Sequence, residues 1–146
     1  SVPLTYAEKD DALFSVPENL YLIGTMNTAD RSLAIVDYAL RRRFRFITLE
    51  PKFNNRFKEF LNSKGFSKDF IQEISSKLKL LNDKIKADKN LGSGFLIGHS
   101  FFCNANSENE RKWFENIVKF EISPLLEEYW FDDSEKVRNE IDLLLS

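Results

Sequence analysis

The chain has 146 residues; hydrophobic side chains make up 42% of them and charged side chains 30%, which is typical of a globular domain and excludes a disordered or fibrous protein. Its 21 basic and 23 acidic residues give a net charge of −2, so the whole chain lacks the excess of positive charge that attracts nucleic acid or anionic membranes. A single cysteine and a single histidine exclude an intrachain disulfide and a Cys/His zinc site. No apolar run approaches the roughly 18 residues that are needed to cross a bilayer. We therefore expect a cytoplasmic protein with no metal site and no membrane segment.

The first 51 residues predict a mixture of strands and one helix. The predicted elements are, in chain order, a hairpin of strands at 2–6 and 12–16, a buried strand at 20–23, a helix that Asp30 or Ser32 caps and that ends at Arg41, Arg42 and Arg43, and a strand at 44–49. A strand, a crossover helix and a second strand within about 30 residues form a βαβ unit, which normally implies a parallel sheet.

After Pro51 the hydrophobic period changes from two to about 3.6, which predicts helices. The apolar positions place a helix around 53–61, a longer one around 70–85, one that a capping box of Ser107 and Glu110 opens, a restart at Ser123 and Pro124, and a last helix from about Ser134. We therefore predict two parts, a strand-containing part at 1–51 and a helical part at 52–146.

One segment carries most of the functional information. It is residues 23–44, which read Ile-Gly-Thr-Met-Asn-Thr-Ala-Asp-Arg-Ser-Leu-Ala-Ile-Val-Asp-Tyr-Ala-Leu-Arg-Arg-Arg-Phe. This segment resembles the signature of McrB-type GTPases, the AAA+ motor subunits of restriction systems that act on modified (5-methylcytosine) DNA. The resemblance extends more loosely through 14–21 and 94–101.

The resemblance implies a fold. Residues 1–51 would be the C-terminal portion of an AAA+ α/β core, with the hairpin, the sensor-1 strand, the arginine-finger helix and the last strand. Residues 52–146 would be the helical lid. The expected fold class is thus an α/β fragment followed by an α-helical bundle, mostly α.

Asn27 follows the predicted strand at 20–23, where α/β sheets place ligands. The resemblance implies that Asn27 is sensor 1, which helps to orient the attacking water. The alternative is that Asn27 only bonds a neighbouring backbone group in the turn.

The three arginines lie where AAA+ subunits carry the finger that reaches a neighbour's nucleotide. Such fingers contribute about 10³ to 10⁵ in rate, and we expect Arg42, then Arg43, in this role. The alternative is a solvated helix end that interacts with its own dipole. Arg41 is the third candidate; three consecutive residues cannot share one helix face, so at least one of the three arginines is expected to have only the structural role.

The signature contains four further candidate residues. The resemblance implicates the loop of Thr28, Asp30 and Arg31 in catalysis and in stimulation by a nuclease partner, although Asp30 is equally well explained as a local cap. Asp37 lies four residues before Arg41, a spacing that favours a supporting ion pair on a helix.

His99 and Ser100 lie in the segment that resembles the entrance to the AAA+ lid helix, where many members carry a sensor-2 arginine. No arginine occurs in 95–101, so we expect His99 and Ser100 to approach the nucleotide instead. The alternative is a packing role, which is the more frequent role of a lone histidine beside aromatic residues.

Two elements of a nucleotide site are missing from the sequence. None of the five glycines is followed by lysine, so the P-loop pattern is absent. The only superficial match to a magnesium-binding strand end, 125–128, follows Pro124 and has a helical period. In the resembled family both elements precede the Asn27 strand, so we expect this chain to continue a longer protein, to bind no cofactor alone, and to be inactive alone. GTP or ATP with Mg²⁺ would bind the longer protein.

The resemblance implies a hydrolysing ring of about six copies that drives DNA translocation for an McrC-type nuclease. Two alternatives remain open: another AAA+ remodeller, MoxR-like or dynein-like, and a non-catalytic helical interaction module. In the family's sheet a missing strand separates 20–23 from 44–49. We therefore predict that these strands pair directly or with a second copy.

Overall fold

The computed structural model describes residues 15–26, 38–105 and 107–146. Its helices are α1 (Tyr38–Arg41), α2 (Asn55–Ser63), α3 (Lys68–Ala87), α4 (Glu110–Ile117), α5 (Ser123–Tyr129) and α6 (Ser134–Leu145); 3₁₀ turns lie at Ser93–Phe95 and His99–Phe102, and a π-helical turn at Val118–Ile122. The helical expectation for the second part of the chain is confirmed. The predicted hairpin at 2–6 and 12–16 and the start of the helix before Tyr38 lie outside the described residues.

A side-chain cap sets the start of α2, and a glycine lies in the turn between α2 and α3. The side chain of Asn54 accepts hydrogen bonds from the backbone N–H groups of Arg56 and Phe57, which satisfies two free donors at the start of α2. Gly65 ends the turn with a φ of 91°, a conformation that a side chain would strain. Helices α2 and α3 contact each other across this short connection.

Helix α3 is the centre of the helical part. Its buried apolar residues recur at helical spacing and face α2, the 91–102 loop and α6. The core contains Ile74, Leu78, Ile85, Phe102 and Leu126, each completely buried. Helices α2, α4, α5 and α6, together with the turns that connect the helices, add the remaining core residues, so one continuous apolar cluster holds this part of the chain together.

The start of α4 differs from the sequence prediction. Asn109 is its cap, with its side-chain oxygen accepting from the Lys112 N–H at 3.0 Å. Glu110 bonds the N–H and hydroxyl of Ser67, at the start of α3, at 2.5 and 2.8 Å. The predicted capping box of Ser107 and Glu110 is therefore wrong, because this carboxylate is engaged by a different helix.

The restart predicted at Ser123 and Pro124 is a continuous helix with a widened turn. The π-helical turn Val118–Ile122 joins α4 to α5, and Pro124 lies in the first turn of α5. A proline lacks the N–H that an α-helix needs and collides with the carbonyl four residues earlier. A π turn at this point is a local solution to that conflict.

The segments 20–23 and 44–49 were predicted as strands, and the structure assigns neither of them to a strand. The expectation that they pair directly with each other is thus corrected. A strand exists only when its N–H and C=O groups meet a partner, and within the described residues neither segment has one. Pairing through a second copy stays a prediction.

Within the described residues, no helix combines the length and the apolar composition that crossing a membrane requires.

Candidate functional site

The arginine cluster lies at the end of α1. Arg41 is the last residue of the helix, and its guanidinium lies 5.9 Å from the ring centroid of Phe46, within cation–π range. Arg42 and Arg43 follow in a turn and are exposed. Among the described residues, no ion pair includes either of them. All three arginines are thus exposed, and the described residues give Arg41 one further contact, that of its guanidinium with the Phe46 ring.

The structure does not describe the signature loop. Asn27, Thr28, Asp30, Arg31 and Asp37 lie outside the described residues. The expected ion pair between Asp37 and Arg41 therefore stays a prediction, as do the roles of the other four.

His99 and Ser100 occupy a short 3₁₀ turn, and a buried amide sets the position of the loop that leads to it. Asn82, on the inner face of α3, donates to the Ile97 carbonyl at 3.0 Å and accepts from the Ile97 N–H at 2.7 Å. This pair of bonds satisfies both backbone groups of a buried residue, as a strand partner would. Phe102, at the far end of the turn, is fully buried. The two candidate residues are thus presented on a loop that is anchored on both sides.

The imidazole of His99 already has a partner. Its Nδ1 accepts a hydrogen bond from the backbone N–H of Lys52 at 3.2 Å. An imidazole nitrogen that accepts must carry no proton, so the neutral ring carries its proton on Nε2. Only Nε2 is left for a contact with a ligand, and the residue is exposed on that loop.

Ser100 lies at a surface groove of about 420 Å³. The groove is lined by Ser100, Phe101, Asn104, Trp113, Asn116, Ile117, Phe120 and Glu121. Its lining includes an acid and no base, which does not suit a polyphosphate. Within the described residues, the lining of this groove therefore does not support a phosphate contact by Ser100. His99 and Ser100 lie on the same turn.

Sequence reasoning missed two polar residues that organise this region. One is Asn82, which a closer reading of the pattern would have indicated, since it falls among the apolar positions of α3 where a polar side chain needs a buried partner. The other is Asp88, whose carboxylate accepts from the Trp130 indole N–H at 2.9 Å and from Lys136 Nζ at 2.8 Å. These bonds join the end of α3 to α5 and α6.

The same contacts lower the pKa of Asp88. The hydrogen bond from Lys136 is the largest cause, followed by those from the Asn90 backbone N–H and the Trp130 indole, and together they lower the pKa to about 2. The Lys136 ammonium also lies 4.1 Å from the Trp130 ring centroid. This cluster is a structural clasp between helices, and it is distant in sequence from every candidate site residue.

Comparison with known proteins gives the family. Residues 73–138 match the family model of the McrB alpha-helical lid domain. Over 99% of its length the chain is 49% identical to the Type IV methyl-directed restriction enzyme EcoKMcrB subunit of Escherichia coli strain K12. The chain is of the McrB type. The McrB lid match falls within the helical part, from α3 to the start of α6.

A second relative extends the comparison. The chain is 30% identical, over 81% of its length, to the Type II restriction enzyme BsuMI component YdiS of Bacillus subtilis strain 168. Each match covers 33% of the relative's length. This McrB-type chain therefore spans about a third of the curated relatives that it matches.

Proposed function

We propose that this chain is the C-terminal part of an AAA+ NTPase motor, GTP-hydrolysing or ATP-hydrolysing with Mg²⁺, in a modification-dependent restriction system. The observation that carries the proposal is the 49% identity to a methyl-directed restriction enzyme subunit across 99% of the chain. Because that identity includes the stretch before the helices, the proposal covers 1–51 as part of the α/β core and 52–146 as the lid.

The exposed segments support the core assignment. Ile23 is 94% exposed, although it lies in an apolar run typical of a strand that is buried on both faces, and Leu49, in the second predicted strand, is 90% exposed. In a complete AAA+ sheet these side chains would be covered. We propose that the rest of the sheet, with the phosphate-binding loop, comes from a preceding part of a longer protein.

In this proposal Asn27 orients the attacking water, and Thr28, Asp30 and Arg31 belong to the same loop. The arginines at the end of α1 act on the nucleotide of a neighbouring subunit. Arg42 is the first candidate and Arg43 the second, which agrees with their exposure and with the contact that turns Arg41 onto Phe46. The subunits would form a ring, about six copies by family resemblance, and would work with an McrC-type nuclease on DNA. The chain alone would not hydrolyse nucleotide.

The test compares two neighbouring arginines in the longer protein. Arg42→Ala is expected to lower GTP or ATP turnover by about 10³-fold or more, the scale of a lost arginine finger. Arg41→Ala is the matched control, since its guanidinium stacks on the same chain, and it should lower turnover far less. Equal turnover in the wild type and the Arg42→Ala variant would refute the finger assignment.

The preferred nucleotide separates the restriction motor from other AAA+ remodellers. Turnover is measured with GTP and with ATP at equal concentration, and a preference for GTP is the expected result. The 146-residue chain serves as the control and should hydrolyse neither.

A further inference from the structure

Two contacts join the connection between the two parts of the chain to the loop that carries His99. The first is the hydrogen bond that the backbone N–H of Lys52, the residue after Pro51, donates to His99 Nδ1. The second is aromatic: the ring of Phe53 lies 5.2 Å from Phe57 and 6.1 Å from Phe102, edge-on to both. The chain therefore leaves the exposed segment at 44–50 and is fixed to the helical part at 52–53.

The loop end of this connection is rigidly held. Phe102, three residues after His99, is fully buried, and Ile97, two residues before it, is pinned to α3 by Asn82. The position of the imidazole is therefore determined by the helical core. The hydrogen bond that the Lys52 N–H donates to this ring transmits that position to the connection.

From this geometry we propose that His99 is a positioning residue that latches the connection to the lid through Nδ1. Resting on the proposed function, this assignment means that His99 sets the orientation of the segment with Arg42 relative to the lid. It differs from the expectation drawn from sequence, in which His99 contacts the nucleotide directly. The two roles use different nitrogens: the latch uses Nδ1, and a nucleotide contact has only Nε2.

Two substitutions separate the two nitrogens. In asparagine the carbonyl oxygen lies two bonds from Cβ, as Nδ1 does, so His99→Asn keeps an acceptor for the Lys52 N–H. In glutamine the polar atoms lie one bond farther out, close to the place of Nε2. His99→Gln therefore keeps a group for a ligand and loses the latch.

The first measurement is hydrogen exchange at the Lys52 amide in the 146-residue chain, followed by NMR. With His99→Gln and with His99→Ala, exchange should be about two- to tenfold faster, the range expected for one exposed hydrogen bond. With His99→Asn it should stay near the wild-type rate. Asn104→Ala, an exposed change nearby on the same loop, is the control and should leave the rate unchanged. Equal Lys52 exchange in all the variants would overturn the latch.

The second measurement is nucleotide turnover in the longer protein. The latch predicts that His99→Asn retains most of the turnover and that His99→Gln loses it. The opposite order, with glutamine active and asparagine inactive, would overturn the latch and support a nucleotide contact. If the wild-type protein hydrolyses no nucleotide, the proposed function fails, and the exchange experiment still decides whether the latch exists.

Discussion

The two parts of the chain differ in how far their hydrophobic side chains are buried. In the helical part, Ile74 and Leu78 are completely buried, whereas in the segment at 15–26 Leu22 is 71% and Ile23 94% exposed. Ile74 and Leu78 lie at helical spacing among polar residues, whereas Leu22 and Ile23 lie in a continuous apolar run. The difference in burial follows from where each kind of segment has its packing and hydrogen-bond partners.

Helices satisfy their own backbone groups and then need only an apolar face to pack against. Helix α3 packs against α2 and α6, so the apolar face of α3 is covered by other helices of the same chain. A strand must find a partner for its backbone before its side chains can be covered, and the segments at 20–23 and 44–49 find none among the described residues. The comparison teaches that the helical part carries its own core, while the described segments before it contribute no buried residue to that core.

A pair of leucine truncations tests this comparison with the largest expected effect. Leu78→Ala removes a fully buried side chain from α3 and should lower the free energy of unfolding by about 2 to 5 kcal/mol, the cost of lost burial plus a cavity. Leu22→Ala removes the same atoms from a site that is 71% exposed, and the change should stay within about 0.5 kcal/mol.

Urea denaturation of the 146-residue chain, followed by circular dichroism, measures both variants. A loss of stability in Leu22→Ala as large as that in Leu78→Ala would show that the segment at 15–26 is packed in solution. The distinction between the two parts would then fail.

The second prediction concerns the loop that carries the candidate residues. Asn82→Ala leaves the buried N–H and C=O of Ile97 without partners, and we expect a loss of about 2 to 4 kcal/mol in the free energy of unfolding. Asn62→Ala, at an exposed position of α2, is the matched control and should cost far less. Thermal unfolding checks both variants, and a similar small change in each would contradict the role given to Asn82.

The third prediction has the smallest effect and depends on pH. Because the folded state lowers the pKa of Asp88 to about 2 from an ordinary 3.8, its stabilising contribution is present above about pH 3.8 and is lost as the pH falls through 2. With allowance for solvent screening, the contribution is about 1 kcal/mol at neutral pH. The wild type should therefore be more stable than Asp88→Asn at pH 6, and the gap should narrow as the pH falls below 4. A gap that does not change with pH would contradict this account.

The helical fold could be predicted from the sequence because its signals are local. The apolar spacing predicts helices around 53–61 and 70–85 and from about Ser134. The structure has helices at Asn55–Ser63, Lys68–Ala87 and Ser134–Leu145, within a few residues of those predictions. The cap at Ser107 failed, since a sequence pattern cannot show that Glu110 bonds Ser67 on a different helix. Long-range contacts of this kind, like that between Asn82 and Ile97, appear only when the helices are assembled.

The candidate site was accessible from the sequence only in part. The signature placed Arg42 and Arg43 at the end of a helix, and α1 ends just before them. The engagement of His99 Nδ1 by the Lys52 amide, 47 positions away, has no sequence signal. The strands at 20–23 and 44–49 could not be decided from sequence, because a strand is defined by a partner outside its own segment.

The difference between the two parts is tested most directly by hydrogen exchange, residue by residue, in the 146-residue chain at a concentration where it is monomeric. We predict that the amides in the middle of α3 exchange slowly, at rates set by global unfolding, while those at 20–23 and 44–49 exchange at rates typical of an unstructured chain. Slow exchange at 20–23 and 44–49 that matches α3 in the monomer would contradict the account, since it would show that these segments already have partners within this chain.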